Sequence, residues 1–213
     1  LHDALPIYEV NKINLLSDDE IRAMINDDLV IAHRNRSLNP DKPFVRGTAQ
    51  NPDVYFQGRE TVNPYYKNIP SILKEEMQKF FEVTGRKYNA VNYYGDPNAE
   101  NVIVVMGSGA ETVKATSEFI NKNGAKTGVL KITLFRPFPN EDFITALPKS
   151  VQKIAILDRT KEPGSNGEPL YQDILVSLTE ALSNGIIDKM PKIVGGRYGL
   201  SSKEFTGNGE GGL

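Results

Sequence analysis

Val102-Ile103-Val104-Val105-Met106-Gly107-Ser108-Gly109-Ala110-Glu111-Thr112 is a β-branched run, a small-residue turn and a helix start in one unbroken stretch. A parallel α/β sheet is built from this unit, and so is a phosphate-binding turn. The alternation it opens continues almost to the C-terminus. The pattern predicts a helix over 110–122 ended by Gly124, then a strand over 128–135. Arg136-Pro137-Phe138-Pro139 leads into a short helix over 141–147, stopped by Pro148. A strand over 153–157 passes through a polar loop at 158–168 into a helix over 169–182. That helix has Pro169 in its first turn, apolar residues at Leu170, Ile174, Leu175, Leu178 and Leu182, and Gly185 as its stop. A last strand over 192–194 meets Gly195-Gly196. Four short apolar runs alternating with three helices read as α/β, a mostly parallel sheet with covering helices.

The region before this unit reads as helical and extended. Ser17-Asp18-Asp19-Glu20 has the capping-box pattern, so a helix starts there and runs to about residue 27. Asp28 is the candidate cap of a second helix, over 29–37, which Asn39-Pro40-Asp41-Lys42-Pro43 breaks. From 44 to 66 no period is sustained, and the segment reads as a long functional or interfacial loop. A helix opens at Asn68 or Ser71. Ile69, Ile72, Leu73, Met77, Phe80 and Phe81 form its stripe, and Gly85 ends it. Asp96-Pro97-Asn98 marks a boundary between two units.

The composition narrows the chemistry. The chain has 213 residues, a formal net charge of −2, two histidines and no cysteine. Thiolate-held clusters, disulfides and cysteine nucleophiles cannot be built from it. A multi-histidine metal site is equally excluded, and the lack of cysteine fits a reducing cytoplasm. The charge balance gives no case for nucleic acid or an anionic membrane, and no window approaches a membrane span.

Each candidate motif carries two readings. Gly107-Ser108-Gly109 sits where a phosphate-binding turn would sit, but Thr112 stands where a dinucleotide fingerprint has its third glycine. The next strand ends at Arg136 rather than at a ribose-binding acid; an arginine there suits at best a 2′-phosphate. The structural reading is a tight strand–helix turn capped by Ser108. Asp158-Arg159-Thr160-Lys161-Glu162-Pro163-Gly164 follows a strand's carboxyl end, where open α/β sheets bind ligands. It reads either as an anion site or as a domain interface fixed by ion pairs, and the interface is favoured. His33 has no evident nucleophile or orienting partner and reads as a solvated or capping histidine. Tyr65-Tyr66 and Tyr93-Tyr94 read as packing or interface aromatics.

Several longer motifs occur together and in order. Arg46-Gly47-Thr48-Ala49-Gln50-Asn51-Pro52-Asp53-Val54-Tyr55-Phe56-Gln57 is followed by Arg59-Glu60 and Asn63-Pro64-Tyr65-Tyr66. Met106–Thr112, Arg136-Pro137-Phe138, 157–164, Gly167-Glu168-Pro169-Leu170-Tyr171 and 196–205 follow. Taken together, they resemble the pyruvate:ferredoxin (flavodoxin) oxidoreductases over about 8–206. The resemblance implies an internal piece of a large multidomain enzyme. Residues 8–96 would be the end of the pyrimidine-binding domain with a linker, 97–200 a transketolase C-terminal-like domain, and 201–213 a truncated linker. Residues 1–7 and 207–213 depart from the family and are expected to be non-native sequence. The implied enzyme oxidatively decarboxylates pyruvate with coenzyme A to acetyl-CoA and CO2 and reduces ferredoxin or flavodoxin. It uses thiamine diphosphate, Mg2+ and [4Fe-4S] clusters, all expected on parts of the enzyme outside this chain.

The expected role of this piece is structural, with no catalytic residue. Thr48, Gln50, Asn51, Asp53, Arg59, Arg159, Lys161 and Glu162 are its interface candidates, toward the remaining domains of a homodimer. Gly107, Ser108 and Gly109 are its weak cofactor-binding candidates. Two alternatives stand beside this reading. One is a stand-alone scaffold subunit of a split 2-oxoacid oxidoreductase; the other is a small nucleotide-binding α/β module.

Overall fold

A β-branched strand becomes stable when both of its faces are covered, and the second half of the chain is arranged to do that. The structure is a computed structural model that describes residues 13–45, 47 and 49–207. It divides into two compact units, one of 1–61 with 75–87 and one of 62–74 with 88–213.

The second unit holds a five-stranded sheet of β1 (Val91–Gly95), β2 (Asn101–Met106), β3 (Thr127–Ile132), β4 (Lys153–Asp158) and β5 (Lys192–Arg197). The order is β1-β3-β2-β4-β5. β2, β3, β4 and β5 are mutually parallel, and β1 runs antiparallel along β3, with Val91 opposite Ile132. The mostly parallel sheet expected from the sequence is therefore present, with one strand more than the apolar runs suggested. Connections run through α5 (Gly109–Lys122), α6 (Asn140–Ala146) and α7 (Pro169–Ser183).

Strand alternation sorts the side chains onto two faces. Val102, Val104, Leu130, Ile132, Ile154 and Ile156 face Phe143 of α6 and Leu170, Ile174 and Leu178 of α7. Val105 and Val129 face Ala110 and Val113 of α5, with Tyr198 closing that smaller cluster. α5 packs on β1, β2 and β3. Phe143 is fully buried and meets Phe138 edge-on at 5.7 Å between ring centroids.

The first unit contains α1 (Asp18–Met24), α2 (Asp27–Asn35), α3 (Pro52–Glu60) and the second half of α4 (Asn63–Thr84). The capping box forms as read: the Ser17 N–H donates to Glu20 at 2.7 Å, and the Glu20 N–H donates to Ser17 Oγ at 3.2 Å. Three sequence readings are corrected here. α2 is capped by Asn26, whose side chain accepts from the Leu29 N–H at 3.2 Å, and Asp28 lies inside the helix. The segment 44–66 is not all loop, because Asn51-Pro52-Asp53 starts α3 with proline in its first turn. α4 begins at Asn63 and carries Pro70 internally, so the sequence placed its start too late. None of α1 to α4 buries a residue fully.

Phe143 sets the spacing between α6 and the sheet. Phe143→Ala is expected to cost about 3–5 kcal/mol, the usual range for emptying a fully packed phenylalanine site. Urea unfolding followed by amide exchange in β2 and β4 measures it; a change under about 1 kcal/mol would show that this face of the core is not well packed.

Candidate functional site

The carboxyl ends of β2, β4 and β5 form the edge at which an open α/β sheet presents ligand-binding groups. β2 and β4 are neighbours, and their crossovers leave in opposite directions, so the topological switch point lies between Met106 and Asp158. Side chains of the chain occupy part of this edge, and a cavity of about 180 Å³ lined by Asp158, Glu168, Tyr171 and Arg197 remains beside them.

At the end of β2 the turn uses Gly107 at φ 73°, a left-handed conformation suited to glycine. Gly109 serves a different purpose. A Cβ there would lie 2.7 Å from the Tyr198 ring, so the missing side chain makes room for the tyrosine. The Tyr198 hydroxyl donates to the Met106 carbonyl at 3.1 Å, and its ring packs on Phe205 at 4.4 Å between centroids. Burial pushes the Tyr198 phenol up from its ordinary value, so it stays a neutral donor. Ser108 makes no side-chain capping bond, contrary to the sequence reading. The next N–H groups are used locally, Ala110 to Gly107 at 3.2 Å and Glu111 to Ser108 at 3.1 Å. Gly107, Ser108 and Gly109 thus form a turn whose open side is taken by Tyr198.

At the end of β4, Asp158 is 1% exposed and reaches the start of α7. Its carboxylate accepts from the Leu170 N–H at 3.0 Å and the Tyr171 N–H at 3.2 Å. The first-turn donors of α7, which would otherwise greet an anion, are consumed from within. Burial pushes the Asp158 carboxyl up, and those two N–H groups pull against it.

Glu168, directly before α7, is 4% exposed and ties three segments together. It pairs with Arg197 of β5, accepts the Glu162 N–H at 2.8 Å and lies 3.7 Å from Lys161 Nζ. Burial alone would raise its carboxyl. Arg197, the Glu162 N–H and Lys161 outweigh burial and hold it below the usual carboxylate range.

Arg159 donates through Nε to the Gly199 carbonyl at 3.1 Å. Arg136, at the end of β3, pairs with Asp173 of α7 and stacks 3.9 Å from the Phe135 ring centroid, so it is already engaged. Among the described residues no buried side-chain N or O lacks a partner.

The sequence-predicted residues fall into two groups. Arg159, Lys161 and Glu162 come together in the loop after β4, where they close on Gly199 and Glu168. Gln50, Asn51, Asp53 and Arg59 are exposed residues in and before α3, and Thr48 lies outside the described residues. His33 is exposed in the last turn of α2. Sequence reasoning missed Asp158 as a helix cap, Glu168 as the central acid and Tyr198 as the group that fills the turn.

Two family models match the chain. Residues 99–199 match pyruvate:ferredoxin oxidoreductase core domain II. Residues 2–78 match the thiamine-diphosphate-binding region of the pyruvate flavodoxin/ferredoxin oxidoreductases. A pyruvate-flavodoxin oxidoreductase from Trichormus variabilis is 55% identical over 199 residues, covering 93% of this chain and 16% of the relative. The chain belongs to the pyruvate:ferredoxin (flavodoxin) oxidoreductase family. Members of this family from Rhodospirillum rubrum and Moorella thermoacetica, named as a pyruvate-flavodoxin and a pyruvate:ferredoxin oxidoreductase, are 54% and 48% identical over 93% of the chain. They are covered over 17% and 16% of their own length, so the chain spans about a sixth of these relatives. A solved 2-oxoglutarate:ferredoxin oxidoreductase from Magnetococcus marinus aligns at 16% identity and a TM-score of 0.40, over 67% of this chain and 22% of its own. That likeness is too slight to add to the fold.

The cofactors implied by this oxidoreductase family can be tested against the residues present. Without cysteine the chain offers no thiolate for an iron–sulfur cluster. Among the described residues no three His, Asp or Glu side chains group as metal ligands. The turn at 107–109 is closed by Tyr198. Of these groups, only a thiolate-held cluster is ruled out within this chain.

Two outcomes test this edge. Gly109→Ala is expected to destabilise the α/β unit by about 1–3 kcal/mol through overpacking on Tyr198. Because the two positions share one space, the Gly109→Ala/Tyr198→Ala double variant should cost less than the sum of the single ones. Strict additivity in urea unfolding would remove the steric account. Glu168 governs the acid limb. A carboxyl held low in the folded state stabilises above its ordinary value, about pH 4.3, and that contribution disappears as pH falls through the folded value. The stability gap between the native chain and Glu168→Gln should be full near neutrality and narrow between about pH 5 and pH 3. Asp158, raised, acts in the opposite sense, and the Glu168 charge contributes to that rise, so the gap reports Glu168 together with its effect on Asp158. A gap that stays constant across that range would show that the Arg197 pair contributes nothing.

Proposed function

We propose that this chain is the core-domain-II portion, with flanking sequence, of an enzyme that oxidatively decarboxylates pyruvate with coenzyme A. The products are acetyl-CoA and CO2, and the electrons pass to ferredoxin or flavodoxin. The carrying observation is the 55% identity to a pyruvate-flavodoxin oxidoreductase over nearly the whole chain, with 16% of that relative covered. Within that enzyme the role of the chain is structural. Residues 8–96, apart from β1, which joins the sheet, complete the pyrimidine-binding domain and its linker; 97–200 form the rest of the α/β domain, and 201–213 lead onward. No residue here is assigned to the chemistry. The partly occupied carboxyl edge and the closed turn at Gly109 support that reading.

Gln50, Asn51, Asp53 and Arg59, together with Thr48, are proposed to meet the remaining domains of a homodimer. Exposed apolar side chains beside them, Val54 at 52% and Phe56 at 68%, support a covered surface there. Arg159, Lys161 and Glu162 serve the same end from the loop after β4. Thiamine diphosphate, Mg2+ and [4Fe-4S] clusters are proposed to be held by other parts of that enzyme. Among the described residues no helix is long and apolar enough to cross a membrane. A cytoplasmic setting is proposed from the lack of cysteine and the reductive chemistry.

The purified 213-residue chain, supplied with thiamine diphosphate, Mg2+ and coenzyme A, is expected to release no CO2 from carboxyl-labelled pyruvate above the protein-free background. Turnover abolished by replacing a residue of this chain would overturn the structural role.

A further inference from the structure

Both end strands of the sheet, β1 and β5, keep one unpaired edge among the described strands, and β5 has an open cavity beside it. β5 ends the sheet, and its outer edge is unpaired among the described strands. The Lys192 N–H bonds to Gln152 and the Tyr198 N–H to Asp158, both toward β4. The alternation of a parallel ladder then turns the N–H groups of Ile193, Gly195 and Arg197 outward. Beside this edge, on the face that carries α5, an open cavity of about 630 Å³ has Ala155, Leu157, Val194 and Leu200 as its apolar floor. Val194 is 50% exposed and Leu200 41%. Bare edges of this kind invite strand addition, and natural sheets usually blunt them.

The rim is cationic. Lys203 lines the cavity, and Arg159 reaches it through its bond to Gly199. Among the described residues neither has a carboxylate partner, whereas Arg197 and Lys161 share Glu168. Lys192 adds a further charge at the start of the strand. A second copy pairing β5 to β5 would set these cations against each other, and like charges facing across strands repel.

We propose that the free edge of β5 and the cavity beside it dock an extended acidic polypeptide segment as a further strand. Its aliphatic side chains enter the cavity over Ala155, Leu157 and Val194, and its carboxylates meet Arg159 and Lys203. Main-chain bonds to Ile193, Gly195 and Arg197 supply affinity, and the pocket and charges supply selectivity. The segment comes from elsewhere in the same long polypeptide, since relatives of this chain extend to about six times the matched length. Only that source rests on the function proposed above.

The test uses the 213-residue chain labelled with 15N and an end-blocked octapeptide of alternating valine and glutamate. Expected are amide shifts confined to Ile193, Gly195, Arg197 and the cavity residues. Binding should be at least about tenfold weaker for the lysine-for-glutamate peptide and for Lys203→Glu, an exposed position whose change leaves the fold intact by circular dichroism. Four results would each overturn the proposal: no shifts up to the solubility limit of the peptide; equal response to both peptides; the same pattern from glutarate alone, which marks a small-anion site; or peptide-free shifts that grow with protein concentration, which mark a second copy. The readout needs no turnover, so its failure leaves the oxidoreductase assignment standing.

Discussion

The carboxylate of Asp158 and the first N–H groups of α7 form the contact on which the α/β unit depends most. A buried charge is costly unless its oxygens are hydrogen-bonded, and a helix start is costly unless its free donors are met. Each solves the other's problem. The bond also fixes where α7 begins relative to β4, and so the position of Leu170, Ile174 and Leu178 against the sheet. Glu168 precedes α7 directly, so the same docking carries it to Arg197 and Lys161 and closes the loop between.

This arrangement engages several of the polar groups at the sheet's carboxyl edge with one another. Nucleotide-binding sheets leave helix N-terminal donors free and use glycine to admit a phosphate. In this chain the α7 donors go to Asp158, and the glycine that could admit a phosphate admits Tyr198. The same elements are present, but their polar groups are spent on one another. The fold class alone would have pointed the other way, so function has to be argued from the site.

Much of the α/β unit was legible in sequence because its signals are local. β-Branched runs gave β2, β3 and β4, Pro169 gave the start of α7, and Gly124 and Gly185 gave helix ends within a residue or two. β1 was missed because Val91-Asn92-Tyr93-Tyr94-Gly95 is polar at alternate places and only Val91 is fully buried, as suits an antiparallel edge strand. α3 was missed because it has no buried face to impose a period; only Asn51-Pro52-Asp53 announces it. The start of α4 was placed too late because 44–66 sustains no period, although Pro64 lies in the helix's opening turn, where proline is tolerated. The site was less legible. Asp158 caps donors twelve or more residues away, and Tyr198 fills a turn more than ninety residues away. Pairings of that kind are set by the sheet order, which no window of sequence contains.

The packing of the helices leaves part of the sheet uncovered beside β4 and β5. α5 packs on β1, β2 and β3, while the cavity floor belongs to β4 and β5. In a monomeric doubly wound domain a helix after the last strand would cover that floor. Here β5 is followed by a short turn at Leu200–Ser202 and a segment whose Phe205 returns to Tyr198, on the α5 side. Tyr198 therefore joins both surfaces: its hydroxyl closes the turn after β2, and its ring forms one wall of the open cavity. One residue, Tyr198, therefore both fills the space beside Gly109 and lines the open cavity next to β5.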